Sequence, residues 1–172
     1  SGLLKEAGRI VGREMGYPCA VMVPRGADLC LEQLSAPPAM EQAVEQHLTG
    51  PGGRRVRIPV KQFRFYNELI QNRRPLYKEN VFELAGDTAA YRNVWERVMA
   101  ALGAFMPDPV SMIAAPVFPG GEPAAVFYVL GTDLSPGDMP TIEHFAQIVA
   151  SALQHLRHLK ALEESRNMLE LR

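Results

Sequence analysis

Two cysteines, Cys19 and Cys30, are the side chains in this sequence best suited to nucleophilic or redox chemistry. Such chemistry requires a thiolate and a second group that resolves the intermediate. Both cysteines fall in short apolar runs that are typical of strands, where a small buried apolar residue is the favoured interpretation. Two cysteines do not build a disulfide framework, and this favours a reducing, cytoplasmic setting.

The four histidines (His47, His144, His155 and His158) all fall on predicted helices. His155 and His158 have the i, i+3 spacing that places two imidazoles on one helix face, where a carboxylate could complete a metal site. Solvated or interface histidines are more common at such positions. The sequence therefore predicts no metal site, no cofactor and no catalytic residue.

Residues 54–78 hold eight basic residues and one acidic residue, Glu68, although the whole chain has a net charge of −1. Aromatic residues such as Phe63 are interleaved with them. Three interpretations are open: a charged strand edge that resists aggregation, a pocket whose arginines bind an anionic small ligand, and a site for single-stranded nucleic acid. The first is favoured, and we expect no nucleic-acid partner.

The loop around Gly120 and Gly121 could cradle a phosphate if its glycines led into a helix N-terminus. Here they lead into the apolar run at residues 124–130, which is typical of a strand. The loop is therefore predicted to be a hairpin turn in which the glycines supply positive φ angles.

The elements that position these residues follow from the spacing of apolar residues. Helices are predicted at residues 3–15, 37–48, 63–74, 91–105 and 139–172, and strands at 19–23, 29–34, 54–60, 110–118 and 124–130. The last two strands are apolar throughout, so both of their faces should be covered. A chain of 172 residues suffices for one domain. No apolar run approaches the roughly 20 residues that cross a bilayer, so no membrane insertion is expected.

The closing helix changes its pattern along its length. Apolar residues recur at steps of three and four in its first half: Ile142, Phe145, Val149, Ala152, Leu156 and Leu159. A shifted repeat continues through Leu162, Arg166 and Leu169. The first half should pack on the sheet, and the second should begin a coiled-coil linker to a downstream domain. The predicted division is a domain at residues 1–160 and a linker at 161–172, in a chain taken from a longer protein.

The segment SMIAAPVFPGGEPAAVFYVLGTDLSPGDMPTIEHFAQIVASAL, residues 111–153, resembles a GAF domain. It has an apolar-Pro-apolar strand end, a glycine turn, a second apolar strand, an LS pair and an acidic helix start at Asp138, the N-cap candidate of the closing helix. Ala124 and Ala125 stand where the family usually has a glycine, and PAS domains are the nearest competitor. The resemblance implies an α+β, profilin/PAS-like fold. Its antiparallel sheet would have five to six strands, with the terminal helices on one face and the middle helices on the other.

The resemblance also implies a function. GAF domains of this kind are sensory and regulatory modules of bacterial signalling proteins such as sensor histidine kinases of two-component systems and cyclic-di-GMP enzymes. They bind a small molecule between the sheet and the middle segments. They dimerise through the N- and C-terminal helices and signal to an output domain. We expect the isolated chain to be a non-catalytic, cytoplasmic domain of this type.

Candidate pocket residues come from three sources. Family analogy indicates Met112 and Ala114, helical spacing indicates Tyr91, Trp95 and Met99, and the basic-aromatic stretch indicates Arg57 and Phe63. Two alternatives stay open. Some GAF proteins reduce free methionine sulfoxide with cysteines, typically three, and this chain would have to use Cys19 and Cys30. The other alternative is a dimerisation domain without a ligand.

Overall fold

The computed structural model describes residues 2–48, 56–81, 92–107 and 109–171, with only the backbone described for residues 92–95. The described residues form the α-helices α1 (Gly2–Arg9), α2 (Pro38–Glu45), α3 (Arg64–Asn72), α4 (Arg92–Gly103) and α5 (Met139–Glu170). The six strands are β1 (Cys19–Arg25), β2 (Asp28–Ser35), β3 (Arg57–Pro59), β4 (Leu76–Lys78), β5 (Ser111–Val117) and β6 (Ala125–Gly131). A π-helical turn, Ile10–Glu14, continues α1.

All six strands form one antiparallel sheet in the order β3-β2-β1-β6-β5-β4. Gly26 has a φ of 62° in the tight turn between β1 and β2, a conformation that glycine adopts without steric cost. Strands β5 and β6 pair along their whole length, and nearly every residue in them is buried. This confirms that both faces of these two strands are covered.

The two terminal helices pack on one face of the sheet. Leu4, Ala7 and Val11 from the first helical segment and Ile142, Ala146, Val149 and Leu153 from α5 share one apolar core. The sheet contributes alternate residues to this core, among them Ile113 of β5 and Phe127 of β6. This arrangement matches the one that the family resemblance implies.

The middle helices cover the opposite face of the sheet. Their buried side chains include Val44 of α2, Leu69 of α3 and Leu102 of α4. The intervening sheet residues point toward them, among them Met112 of β5 and Tyr128 of β6. Because successive residues of a strand face opposite sides, each central strand serves both cores at once.

Three local expectations need correction. Helix α5 buries Ile142, Ala146, Val149 and Leu153, whereas Phe145 and Ala152 of the predicted stripe are only half-buried. The carboxylate of Asp138 does not cap α5; it accepts a 2.9 Å hydrogen bond from the backbone N–H of Ser135.

The third correction concerns the loop between β5 and β6. Gly120 and Gly121 join the two strands as expected, but neither has a positive φ. The loop spans the seven residues 118–124, which is long enough to reverse the chain without left-handed backbone. It is therefore a wider connection than the predicted tight turn.

Candidate ligand cavity

An apolar cavity of about 70 Å³ lies between the sheet and the middle helices. Its floor comes from the four central strands and includes Met22, Leu31, Met112 and Tyr128. Its other walls come from Val44 of α2, Phe63 and residues of α4, among them Leu102. The cavity is therefore enclosed by the elements between which the family resemblance implies a ligand pocket.

The register of the central strands explains why space remains at this point. Tyr128 of β6 lies opposite Ala20 of β1 on one side and Ala114 of β5 on the other. Directly opposite side chains in adjacent strands are close neighbours, so the small side chain of Ala20 leaves volume above the sheet beside Tyr128. Ala20 is only half-buried although it lies in a central strand, and it forms part of the cavity wall.

Tyr128 carries the polar side chain among the described residues that line the cavity. Its ring contacts those of Phe63 and Phe65, with centroids 6.4 Å and 6.5 Å away. Its buried hydroxyl has no hydrogen-bond partner among the described residues. Burial, with a smaller contribution from nearby Tyr66, raises the pKa of the Tyr128 phenol well above its ordinary value. The hydroxyl therefore stays protonated and can both donate and accept a hydrogen bond.

The candidate pocket residues fall into three groups. Phe63 and Met112 line the cavity. Met99 and Ala114 are buried in the same core without lining it. Arg57 is exposed on the edge strand β3, where its neighbour Ile58 faces the cavity instead. Tyr91 and the side chain of Trp95 lie outside the described residues, and so do Arg54 and Arg55 of the basic stretch.

Tyr128 and Ala20 are among the cavity residues that the sequence-based candidates did not include. Tyr128 carries the one hydroxyl in the apolar run of β6, AVFYVLG. A buried hydroxyl needs a partner, so this residue type was a signal in the sequence that could have been used. Ala20 gave no comparable signal, because its importance comes from the residue opposite it.

Both cysteines are buried packing residues. Cys19 is fully buried in the core under the terminal helices, and burial raises the pKa of its thiol to about 12. Cys30 pairs with Val23, four residues from Cys19 along β1. A strand rises about 3.3 Å per residue, so the two Cα atoms lie about 13 Å apart, whereas a disulfide requires about 7 Å or less. Cys19 and Cys30 therefore cannot resolve each other in this fold.

The described basic residues of the stretch lie at the surface or against aromatic rings. Arg73 has a φ of 54°, packs its guanidinium 4.2 Å from the centroid of Phe118, and donates a hydrogen bond to the carbonyl of Gly120. Lys78 places its Nζ 5.6 Å from the centroid of Phe65. The part of the chain that the structure describes has no cluster of three or more metal-ligating side chains, and His155 and His158 are exposed.

No helix among the described residues is both long and apolar enough to cross a membrane. No protein-family model and no curated protein matches the sequence.

Solved structures do match it. A methyl-accepting chemotaxis protein is 19% identical, with a TM-score of 0.63 over 92% of this chain and 90% of its own. A GAF domain/HD domain protein from Geobacter sulfurreducens is 14% identical, with a TM-score of 0.62 over 90% of this chain and 92% of its own. The GAF domain of a two-component sensor histidine kinase from Bacillus halodurans is 12% identical, with a TM-score of 0.50 over 83% and 84%. The chain therefore has the fold of a GAF domain.

Proposed function

We propose that this chain is a non-catalytic sensory domain of a larger bacterial signalling protein. A small molecule would bind in the cavity, and a homodimer would pass the signal through α5 to an output domain. The observation that carries the proposal is the length of α5, which continues far beyond the core that its first half covers. Residues 154–171 are all exposed. A helix of this length without packing needs a partner to be stable in water.

A second stripe on α5 supplies a surface for that partner. Eight residues follow one another at alternating steps of three and four: Phe145, Ile148, Ala152, His155, Leu159, Leu162, Arg166 and Leu169. Ile148, Leu159, Leu162 and Leu169 are 54%, 49%, 67% and 67% exposed. This repeat of 3.5 residues is the pattern of a coiled-coil seam. It runs beside the buried stripe and continues to the end of the helix.

The stripe is continuous with the body of the domain. A surface groove between the first helical segment and α5 is lined by Val11, Met15, Phe145 and Ile148, among others. Met15 is 45% exposed. A second copy that paired along α5 would cover this groove and the projecting leucines together. This supports a dimer through the N- and C-terminal helices.

The cavity and the proposed dimer surface lie on opposite faces of the sheet. Tyr128 faces the cavity, while the preceding residue, Phe127, faces the terminal helices. The ring of Phe127 lies 5.9 Å from the ring of Phe145, which belongs to the second stripe of α5. A ligand that moved β6 would therefore move a residue of the dimer surface. Such a ligand shifts the equilibrium between two arrangements of the dimer only as far as it binds these arrangements with different affinity.

The comparisons support the same class of function. The matching structures include a chemotaxis protein and a GAF domain of a sensor histidine kinase. We infer a cytoplasmic setting and a downstream output domain such as a kinase or a cyclic-di-GMP enzyme. The proposed sensor domain is residues 1–160, and residues 161–172 begin the linker. The distance between Cys19 and Cys30 argues against the thiol-reductase alternative.

Cross-linking through one introduced surface cysteine, with the native Cys19 and Cys30 both buried, tests the proposed dimer. Leu162 lies on the second stripe, and Ala161 is an exposed neighbour on the same turn but off the stripe. In a parallel dimer, Leu162→Cys places two thiols face to face, whereas Ala161→Cys keeps them apart. We expect L162C to form the intermolecular disulfide at least about tenfold faster under mild oxidation. Equal rates, or no dimeric product from either variant, would overturn the proposal.

A further inference from the structure

The wall of the cavity restricts the chemistry of its ligand. Every lining residue among those described is apolar or aromatic, and the phenol of Tyr128 is the one polar side chain. A charged ligand would lose its hydration in this cavity without meeting an opposite charge among the described lining residues. Arg57, the arginine among the pocket candidates, is exposed on β3 and does not line the cavity. The wall therefore favours a neutral molecule that is mostly hydrocarbon.

The unpartnered hydroxyl of Tyr128 adds one polar requirement. A buried hydroxyl without a partner is costly, and proteins normally satisfy it. A single water would not be retained, because a buried water needs two to four polar partners and the described residues of this wall provide one. A ligand atom that accepts or donates one hydrogen bond would satisfy the hydroxyl. Phe63 both lines the cavity and lies against the Tyr128 ring, with the two ring centroids 6.4 Å apart.

The volume limits the size of the ligand. The cavity of about 70 Å³ is roughly half of an engineered apolar cavity of about 150 Å³ that binds benzene. Met22 and Met112 both line it, and methionine side chains adapt readily to a ligand because they are unbranched and flexible. A molecule with about six non-hydrogen atoms fits once these side chains move.

We propose that the cavity binds a small, neutral, largely hydrocarbon molecule with one hydrogen-bonding group, which pairs with the hydroxyl of Tyr128. This inference rests on the proposed sensory function and names the class of its ligand. It replaces the anionic ligand that the basic stretch suggested.

Three compounds built on the same five-membered carbon ring test the class. Cyclopentanone is neutral with one acceptor, methylenecyclopentane has the same shape without it, and cyclopentanecarboxylate is an anion. Binding is followed by NMR of methionine methyl groups labelled with ¹³C, where Met22 and Met112 report on the cavity. Met168, exposed near the end of α5, serves as the reference signal. The wild-type chain is compared with Tyr128→Phe and with the matched variant Tyr66→Phe, which removes a neighbouring hydroxyl outside the wall.

We expect cyclopentanone to shift the signals of Met22 and Met112 and not that of Met168. Tyr128→Phe should weaken the binding of cyclopentanone roughly five- to tenfold, which corresponds to the loss of one hydrogen bond. It should change the affinity for methylenecyclopentane less than about twofold. Tyr66→Phe should leave both affinities unchanged. The ligand class is wrong if cyclopentanecarboxylate binds more tightly than cyclopentanone, if Tyr128→Phe affects both neutral compounds alike, or if none of the three shifts Met22 and Met112.

The two proposals fail separately. If L162C cross-links and none of the three compounds binds, the sensory dimer stands and its ligand belongs to another class. If cyclopentanone binds through Tyr128 and L162C does not cross-link, the ligand class stands and the signalling dimer is wrong.

Discussion

Gly12 of the π-helical turn lies directly against the backbone of Ser35 at the end of β2. A Cβ atom added to Gly12 would overlap the carbonyl group of Ser35 and approach its Cβ to 2.6 Å. One turn earlier, a Cβ at Gly8 would come within 2.6 Å of Cγ2 of Val21. These two glycines let the first helical segment lie unusually close to the sheet, and they fix the surface that Met15 contributes to the proposed dimer.

Substituting Gly12 by alanine should therefore destabilise the domain. Because the overlap is with main-chain atoms, either the helix or β2 must move, and we expect the free energy of unfolding to fall by about 1–3 kcal/mol. Gly103 at the end of α4 has open space around its Cα. Gly103→Ala is the matched control and should leave stability unchanged or raise it by up to about 1 kcal/mol. Urea unfolding of both variants measures the difference; equal effects would contradict this packing.

Cys19 should make the domain sensitive to alkali. The unfolded chain loses the thiol proton from about pH 9, whereas the folded chain keeps it until about pH 12. The folded state therefore binds more protons in this window, and its stability falls as pH rises, by roughly 1.4 kcal/mol per unit from this group. Below pH 9 the contribution is constant.

The difference between wild-type and Cys19→Ala unfolding curves isolates this effect. The variant should lack that part of the alkaline slope, and a slope identical to that of the wild type would contradict the burial of the thiol. Cys19 should also stay unmodified by a thiol reagent at neutral pH until denaturant is added, as followed by peptide mass spectrometry.

The hydroxyls of Tyr128 and Tyr77 should have opposite effects on stability. Tyr128→Phe removes a buried hydroxyl that has no hydrogen-bond partner in the described part of the chain, so the free energy of unfolding should rise by about 1 kcal/mol. The Tyr77 hydroxyl donates a 3.2 Å hydrogen bond to the carbonyl of Leu134 and lies 3.2 Å from Oγ of Ser111. Tyr77→Phe should therefore lower the free energy of unfolding by about 1 kcal/mol. Thermal unfolding without added ligand checks both; a loss of stability in Tyr128→Phe would indicate a hidden partner.

Most of the architecture was predictable because it depends on local patterns. The apolar runs of β5 and β6 indicated strands covered on both faces, and the helix positions followed from apolar spacing. Strand β4 was missed because three residues, LYK, carry no alternation that distinguishes a strand from a loop. The buried face of α5 was misassigned because two spacings of three and four residues pass through Ile142 and Val149. Phe145 and Ala152 continue one of these spacings, and the buried Ala146 and Leu153 continue the other.

The cavity was predictable only in part, because it depends on register. Phe63 and Met112 were among the candidates and line the cavity, whereas Arg57 is exposed. The space itself arises where Ala20 lies opposite Tyr128, and strand register is a relationship between distant segments. No single stretch of the sequence contains that relationship.

Sedimentation equilibrium of the intact chain tests the central claim that α5 pairs with a second copy. Leu159→Lys combined with Leu162→Lys places charges on the second stripe. Gln154→Lys combined with Ala161→Lys adds two lysines to exposed positions off it. We expect the wild type and the second variant to sediment as dimers and the first variant as a monomer. A wild-type chain that stays monomeric at the highest concentration reached, or a stripe variant that remains dimeric, would contradict the account.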